Sequence, residues 1–143
     1  MNDIEIKNAT ILDGLGNEPY TGNIYVKDGK IVVITHKEIY EASVSLDASG
    51  KIVTPGFIDL HTHSDISFLL DSTAQSKIRQ GVTLELIGNC GLSICAPLIG
   101  DARDMFDTWV SDHTDSYNPT WTDYAGYIEA SKKAKATLNI AFQ

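Results

Sequence analysis

Apolar and polar residues alternate at the start of the chain, Ile4-Glu5-Ile6-Lys7 and then Ala9-Thr10-Ile11-Leu12, until Asp13-Gly14 ends the pattern. A period of two belongs to a half-buried β-strand, which is expected over residues 4–12. Two further apolar runs, 23–26 and 30–34, flank Lys27-Asp28-Gly29. An Asp-Gly pair readily takes the positive φ angles of a tight hairpin, so the runs are expected to pair as strands. A short strand at 43–46, a turn at Ala48-Ser49-Gly50-Lys51 and the run Ile52-Val53-Thr54 complete a small antiparallel sheet. From Pro55 onward the pattern changes to strand–helix alternation, which places a domain boundary near residue 54.

The second region opens on an apolar run that climbs out of Pro55-Gly56 and ends in two histidines one residue apart, Phe57-Ile58-Asp59-Leu60-His61-Thr62-His63. On a strand, Phe57, Asp59, His61 and His63 share one face and Ile58, Leu60 and Thr62 the other. Ser72-Thr73-Ala74-Gln75 has the spacing of a capping box. It predicts a short helix to about Gln80, with Ala74 and Ile78 on its buried side and Gly81 as its left-handed stop. Val82 to Ile87 is then a second strand. The close spacing predicts a right-handed parallel unit whose tip, Gly88-Asn89-Cys90-Gly91, shares a rim with His61 and His63. Spaced apolar residues predict a short helix over 101–110. Tyr124, Tyr127, Ile128 and Ser131 predict a better one over 121–133, and 137–142 reads as a third strand. Pro119 and the polar run 113–118 mark a loop.

Composition narrows the partners. The chain has 143 residues, 43% of them hydrophobic, enough for a core and unlike a disordered or membrane-spanning chain. Nineteen acidic against eleven basic residues give a net charge of -8, which disfavours nucleic acid and anionic membrane surfaces and favours a small-molecule partner. The N-terminus lacks a basic segment followed by a long apolar run, so a cytoplasmic protein is expected. Nothing in the pattern points to an oligomeric state. The two cysteines, Cys90 and Cys95, are too few for a disulfide framework.

Two imidazoles at i and i+2 on one strand face can hold one metal ion, although a bare His-x-His is as readily a solvated strand end. Cys90 sits on a glycine-flanked loop that can bend sharply, which suits a thiolate aimed at a cation, while a small buried hydrophobe is the alternative. That alternative is the expectation for Cys95, among Ile94, Ala96 and Pro97. Asp65 is expected to be a solvated loop carboxylate, and His36 and His113 surface residues.

Residues 55–65 resemble the first-strand signature of the amidohydrolase superfamily. Gln80-Gly81-Val82-Thr83 followed by Gly88-Asn89-Cys90-Gly91 resembles its D-aminoacylase branch, the N-acyl-D-amino-acid deacylases. The likeness continues through Trp121, Tyr124 and Asn139-Ile140-Ala141, so it covers most of the chain and corresponds to the N-terminal portion of such an enzyme. It implies an α/β fold: residues 1–54 as part of an N-terminal β-sandwich, and 55–143 as the first strand–helix units of a TIM-type (β/α)8 barrel, truncated. It also implies one or two zinc ions, with His61 and His63 matching the histidines of a more weakly held metal site and Cys90 the thiolate ligand of a tightly held zinc. Asp59 becomes a candidate acceptor for an imidazole N–H, or else a polar contact on the barrel floor. No catalytic residue is expected in this chain, since the proton-shuttling aspartate and two further histidines come from later strands. Leu84 and Glu85 depart from the family's small or β-branched residues, and a buried Glu85 needs a partner or a raised pKa.

Three functions follow. One is zinc-dependent hydrolysis of the amide bond of small N-acyl-D-amino acids, with the isolated chain inactive. The second is hydrolysis of cyclic amides, as in dihydroorotases and hydantoinases, for which the histidine strand serves but the cysteine loop does not. The third is a non-catalytic piece that at most binds a metal.

Overall fold

In the computed structural model, which describes residues 1–94, 99–113, 119 and 121–143, Asp28 and Gly29 have φ of 51° and 71°. That left-handed pair lets a two-residue turn match the twist of its strands. The turn joins β2 (Tyr20–Lys27) to β3 (Lys30–Thr35), and β2 also runs antiparallel to β1 (Asn2–Ile11). The other edge of β1 differs from the antiparallel expectation. There β4 (Ala42–Asp47) and β5 (Ile52–Val53) both lie parallel to β1, one beside each half of it. The chain has crossed back after β3, so its next strands run in the same sense as β1. A bulge between Ile6 and Ala9, with Asn8 at φ 58°, separates the two halves. Asn8 secures it by donating its backbone N–H to Asn23 Oδ1 and its side-chain amide to Asp47 Oδ1, each at 3.0 Å.

Burial on β1 also departs from the simple pattern. Glu5 is buried while Ile4 and Ile6 are only partly so. The Glu5 carboxylate accepts from Tyr25 Oη at 2.6 Å and Ser45 Oγ at 2.8 Å, which satisfies it inside the sheet. The apolar cluster of this unit, Met1–Pro55, is Ala9, Ile11, Ile24 and Ala48.

The second compact unit, Gly56–Gln143, holds a parallel sheet in the order β6 (Phe57–Asp59), β7 (Val82–Ile87), β8 (Asn139–Phe142). Gly56 is required at its start: a Cβ there would stand 2.2 Å from both γ atoms of Thr83 on β7. Between β6 and β7 lie two single-turn helices, α1 (Ser67–Leu70) and α2 (Gln75–Ile78). The expected capping box does not form. Ala74 precedes α2 in the left-handed region at φ 45° and no side chain caps the helix; the Gln75 amide donates to Thr73 O at 3.4 Å and accepts from Arg79 Nε at 3.0 Å instead. The helix ends at Ile78, short of the expected Gln80, and the turn after it closes at Gly81, which has the left-handed φ expected there, 82°, and donates its N–H to Ile78 O at 3.0 Å.

After β7 come α3 (Asp101–His113) and α4 (Tyr124–Ala134). Asp123 caps α4 by accepting from Gly126 N–H at 2.8 Å, so the helix begins after Trp121. Of the residues that recur at helical spacing, Tyr127 is buried in the core and Tyr124 is exposed. The Tyr127 ring packs on Phe68, Trp121 and Phe142, within a core that includes Ile66, Ile87, Ile94, Phe106 and Val110. Arg103 on α3 donates to the carbonyls of Pro119 and Trp121, and Trp121 Nε1 donates to Ile94 O. Among the described residues no helix is long and apolar enough to cross a membrane.

Candidate metal centre

The strand that was expected to deliver both histidines ends at Asp59. Asp59 Oδ1 accepts the His61 backbone N–H at 3.2 Å, a local turn that diverts the chain from the ladder. His61 and His63 therefore lie beyond the strand, yet the alternation persists: both imidazoles are exposed and Thr62 between them is buried. Their rings stand 5.6 Å apart at 74°.

Cys90 arrives from the end of β7, on a single 3-10 turn at Asn89–Gly91. Its φ of 59° lies in the left-handed region, between Gly88 at 87° and Gly91 at 71°. A non-glycine residue held there stores backbone strain, which surrounding contacts must sustain. Asn89 supplies them: its buried amide donates to Leu86 O at 2.8 Å and to Thr62 O at 3.3 Å, tying the cysteine turn to the histidine turn. Cys90 Sγ lies 3.3 Å from His61 Nε2, and one donor atom each from His61, His63 and Cys90 fall within 4.8 Å of one another.

Asp65 is not the solvated carboxylate expected. It is buried and accepts from Gly88 N–H at 3.0 Å, while its carbonyl accepts from Tyr127 Oη. Burial pushes its pKa up, against the opposing effect of backbone hydrogen bonds. The chain turns inward after His63, which parity along an extended strand does not foresee.

Asp59 bonds the His61 backbone and Lys77 rather than an imidazole. The Lys77 ammonium, 2.8 Å from its Oδ2, holds the Asp59 pKa below the usual range, with the His61 N–H adding to the effect. Lys77 also lies 2.9 Å from Oε1 of Glu85, the fully buried carboxylate of β7, and so is the partner that Glu85 requires. Burial acts to lower the Lys77 pKa, but the hydrogen bonds to Asp59 and Glu85 outweigh it and raise the value.

Asn89 and Lys77 were not singled out from sequence. Glu85 was the available signal for Lys77, as a strand carboxylate in need of a cation. His36 is exposed, its Nδ1 hydrogen-bonded to Thr21 O. Cys95, the His113 side chain and the loop 114–118 lie outside the described residues.

The sequence model of the amidohydrolase family matches residues 45–142. An uncharacterized protein of Mycobacterium tuberculosis is 37% identical over 136 residues, 90% of this chain and 22% of that protein. The N-acyl-D-glutamate deacylase of Alcaligenes xylosoxydans xylosoxydans is 32% identical over 140 residues, and the D-aminoacylase of the same organism 33% over 139; each match covers 97% of this chain and 28% of the relative. The chain thus spans less than a third of the length of these relatives. The crystal structure of N-acyl-D-glutamate deacylase from Bordetella bronchiseptica, complexed with zinc and a phosphonate inhibitor that mimics the tetrahedral intermediate, superposes with a TM-score of 0.81 at 33% identity. That superposition covers 99% of this chain and 29% of the deacylase.

Proposed function

The chain belongs to the amidohydrolase family, and from that membership we propose that it is the N-terminal part of a zinc-dependent hydrolase that cleaves N-acyl-D-amino acids to a D-amino acid and a carboxylate. The supporting observation is the meeting of His61, His63 and Cys90, whose donor atoms lie within 4.8 Å of one another. Two donors bound to one zinc at 2.0–2.3 Å and a tetrahedral angle stand about 3.5 Å apart, and the Cys90–His61 separation of 3.3 Å is compatible with that. A thiolate with neutral imidazoles is a donor set that zinc accepts readily.

When bound, zinc supplies Lewis acidity toward an amide carbonyl and lowers the pKa of water to about 7. The chain's own residues bind and orient. His61 and His63 present imidazole nitrogens, Cys90 presents sulfur, and Asp59 and Asn89 hydrogen-bond the backbone of the turns that carry them. By the family resemblance, the aspartate that moves the proton to the leaving amine lies beyond Gln143, together with the remaining strands of the barrel. The 143-residue chain is then a metal-binding piece without turnover.

Cyclic-amide hydrolysis is less well supported, because it gives no role to a thiol beside the imidazoles. The test is an assay of the protein encoded by the whole reading frame, against N-acetyl-D-amino acids, their L-enantiomers and hydantoins. Zinc-dependent release of a D-amino acid is expected. Turnover of hydantoins without deacylation overturns the proposal.

A further inference from the structure

Around the histidine turn the inward-facing side chains form a closed ring of hydrogen bonds. Lys77 Nζ donates to Thr62 Oγ1 at 3.0 Å, the Thr62 and Ser64 hydroxyls share a bond of 2.8 Å, Ser64 Oγ donates to Glu85 Oε1 at 3.3 Å, and Lys77 reaches the same Oε1 at 2.9 Å. The end members settle the direction of the protons. An ammonium only donates and a carboxylate only accepts. Ser64 commits its one hydrogen to Glu85, so Thr62 donates to Ser64 and accepts from Lys77. The third ammonium hydrogen goes to Asp59 Oδ2 at 2.8 Å, and the other oxygen of that carboxylate accepts the His61 N–H. All three donors of Lys77 are thereby used, and every bond leads to the segment 59–64 or to β7.

The geometry points to a role for this arrangement. We propose that Lys77 is a positioning residue: bound to Asp59, Thr62 and Glu85, it holds the turn Asp59–Ser64 in the shape that presents both imidazoles to a metal ion. This rests on the metal-centre proposal above and adds a residue to it. Past Asp59 the turn has no strand ladder to shape it, since β6 ends there. Thr62 and Ser64 alternate with His61 and His63, so anchoring the hydroxyls on one side sets the imidazoles on the other. Lysine suits the position because its compact head directs three donors to three separate oxygens, whereas the planar guanidinium of arginine favours a fork.

Removing Lys77 alone would leave Glu85 buried without its cation and would confound positioning with folding. The test therefore uses two variants that avoid this. Lys77→Met/Glu85→Met removes both charges, an exchange that buried pairs often tolerate or gain from. Thr62→Val removes only the hydroxyl that joins the turn to Lys77 and leaves both ion pairs of the lysine in place. Zinc affinity is measured by competition with a chromophoric chelator, and cobalt(II) spectra report the Cys90 thiolate through its charge-transfer band.

The wild-type chain is expected to bind zinc. Both variants should bind it about ten- to hundredfold more weakly, the usual cost of losing the groups that orient ligands, while unfolding cooperatively in denaturant and keeping the thiolate band. Wild-type affinity in folded Thr62→Val, or in the folded double variant, overturns the role of Lys77 and leaves the metal centre standing. A wild-type chain that binds neither zinc nor cobalt overturns both.

Discussion

The Cys90 thiol stands 3.3 Å from Nε2 of His61, across 29 positions of sequence and between two turns that no strand ladder joins. Asn89 links those turns through Thr62 O, and Asp65 links them again through Gly88 N–H. The donor cluster is thus held by side-chain-to-backbone bonds on the residues next to the ligands.

Replacing Cys90 by Ser is expected to abolish tight zinc binding and leave the fold intact, since a neutral hydroxyl is a far poorer zinc ligand than a thiolate of similar size. Metal analysis of the folded variant, with Cys95→Ser as a control, checks it. Full zinc content in Cys90→Ser would show that the thiol is not a ligand.

The purified 143-residue chain is expected to show no zinc-dependent hydrolysis of N-acyl-D-amino acids. Three donors without a carboxylate placed to shuttle the proton give binding and no turnover. Release of D-amino acid by the chain, free of host enzyme, would place the catalytic group within residues 1–143.

Asn89→Ala removes the amide that satisfies Thr62 O and Leu86 O. Leaving buried carbonyls without a donor costs about 1–3 kcal/mol, so the denaturant midpoint should fall and zinc affinity should fall with it. An unchanged midpoint with unchanged affinity would mean that the two turns keep their places without this link.

Gly56→Ala should destabilise the second unit by about 1–3 kcal/mol, as overpacking does, because the added Cβ would meet the Thr83 side chain at 2.2 Å. The clash is specific to that pair. In a double-mutant cycle with Thr83→Gly, the two losses should be strongly non-additive, and simple additivity would argue against the contact.

In the first unit, the Tyr25 hydroxyl bonded to the Glu5 carboxylate lowers the Glu5 pKa, outweighing the effect of its burial. A carboxyl whose pKa is lower in the folded state adds stability above its unfolded value, about 4.3, and loses that contribution as pH falls through the folded value. Stability should therefore drop with acid below about pH 4.3 more steeply in the wild type than in Tyr25→Phe. Parallel stability curves from denaturant melts across that range would contradict the assignment.

Much of the fold was legible because its signals are local. The Asp28-Gly29 hairpin, the strand at Val82–Ile87 and the left-handed turn at Gly81 each follow from the φ preferences or side-chain period of a few adjacent residues. Residue types made His61, His63 and Cys90 candidate donors, and the family resemblance raised them to expected ligands. The parallel placement of β4, the end of β6 at Asp59, the burial of Asp65 and the partnership of Lys77 with Glu85 were decided in three dimensions. The end of β6 follows from a local bond, Asp59 Oδ1 to the His61 N–H; the other cases depend on hydrogen bonds or packing contacts made across the fold. Ser72 and Gln75 have the spacing of a cap, but the Gln75 amide is taken up by Thr73 O and Arg79 Nε, and Asp65 looked like a loop acid until Gly88 N–H came within 3.0 Å. Periodicity records which way a side chain points along its own segment. Which distant polar group it meets there depends on how the segments pack, and that meeting is what sets the geometry of the candidate site.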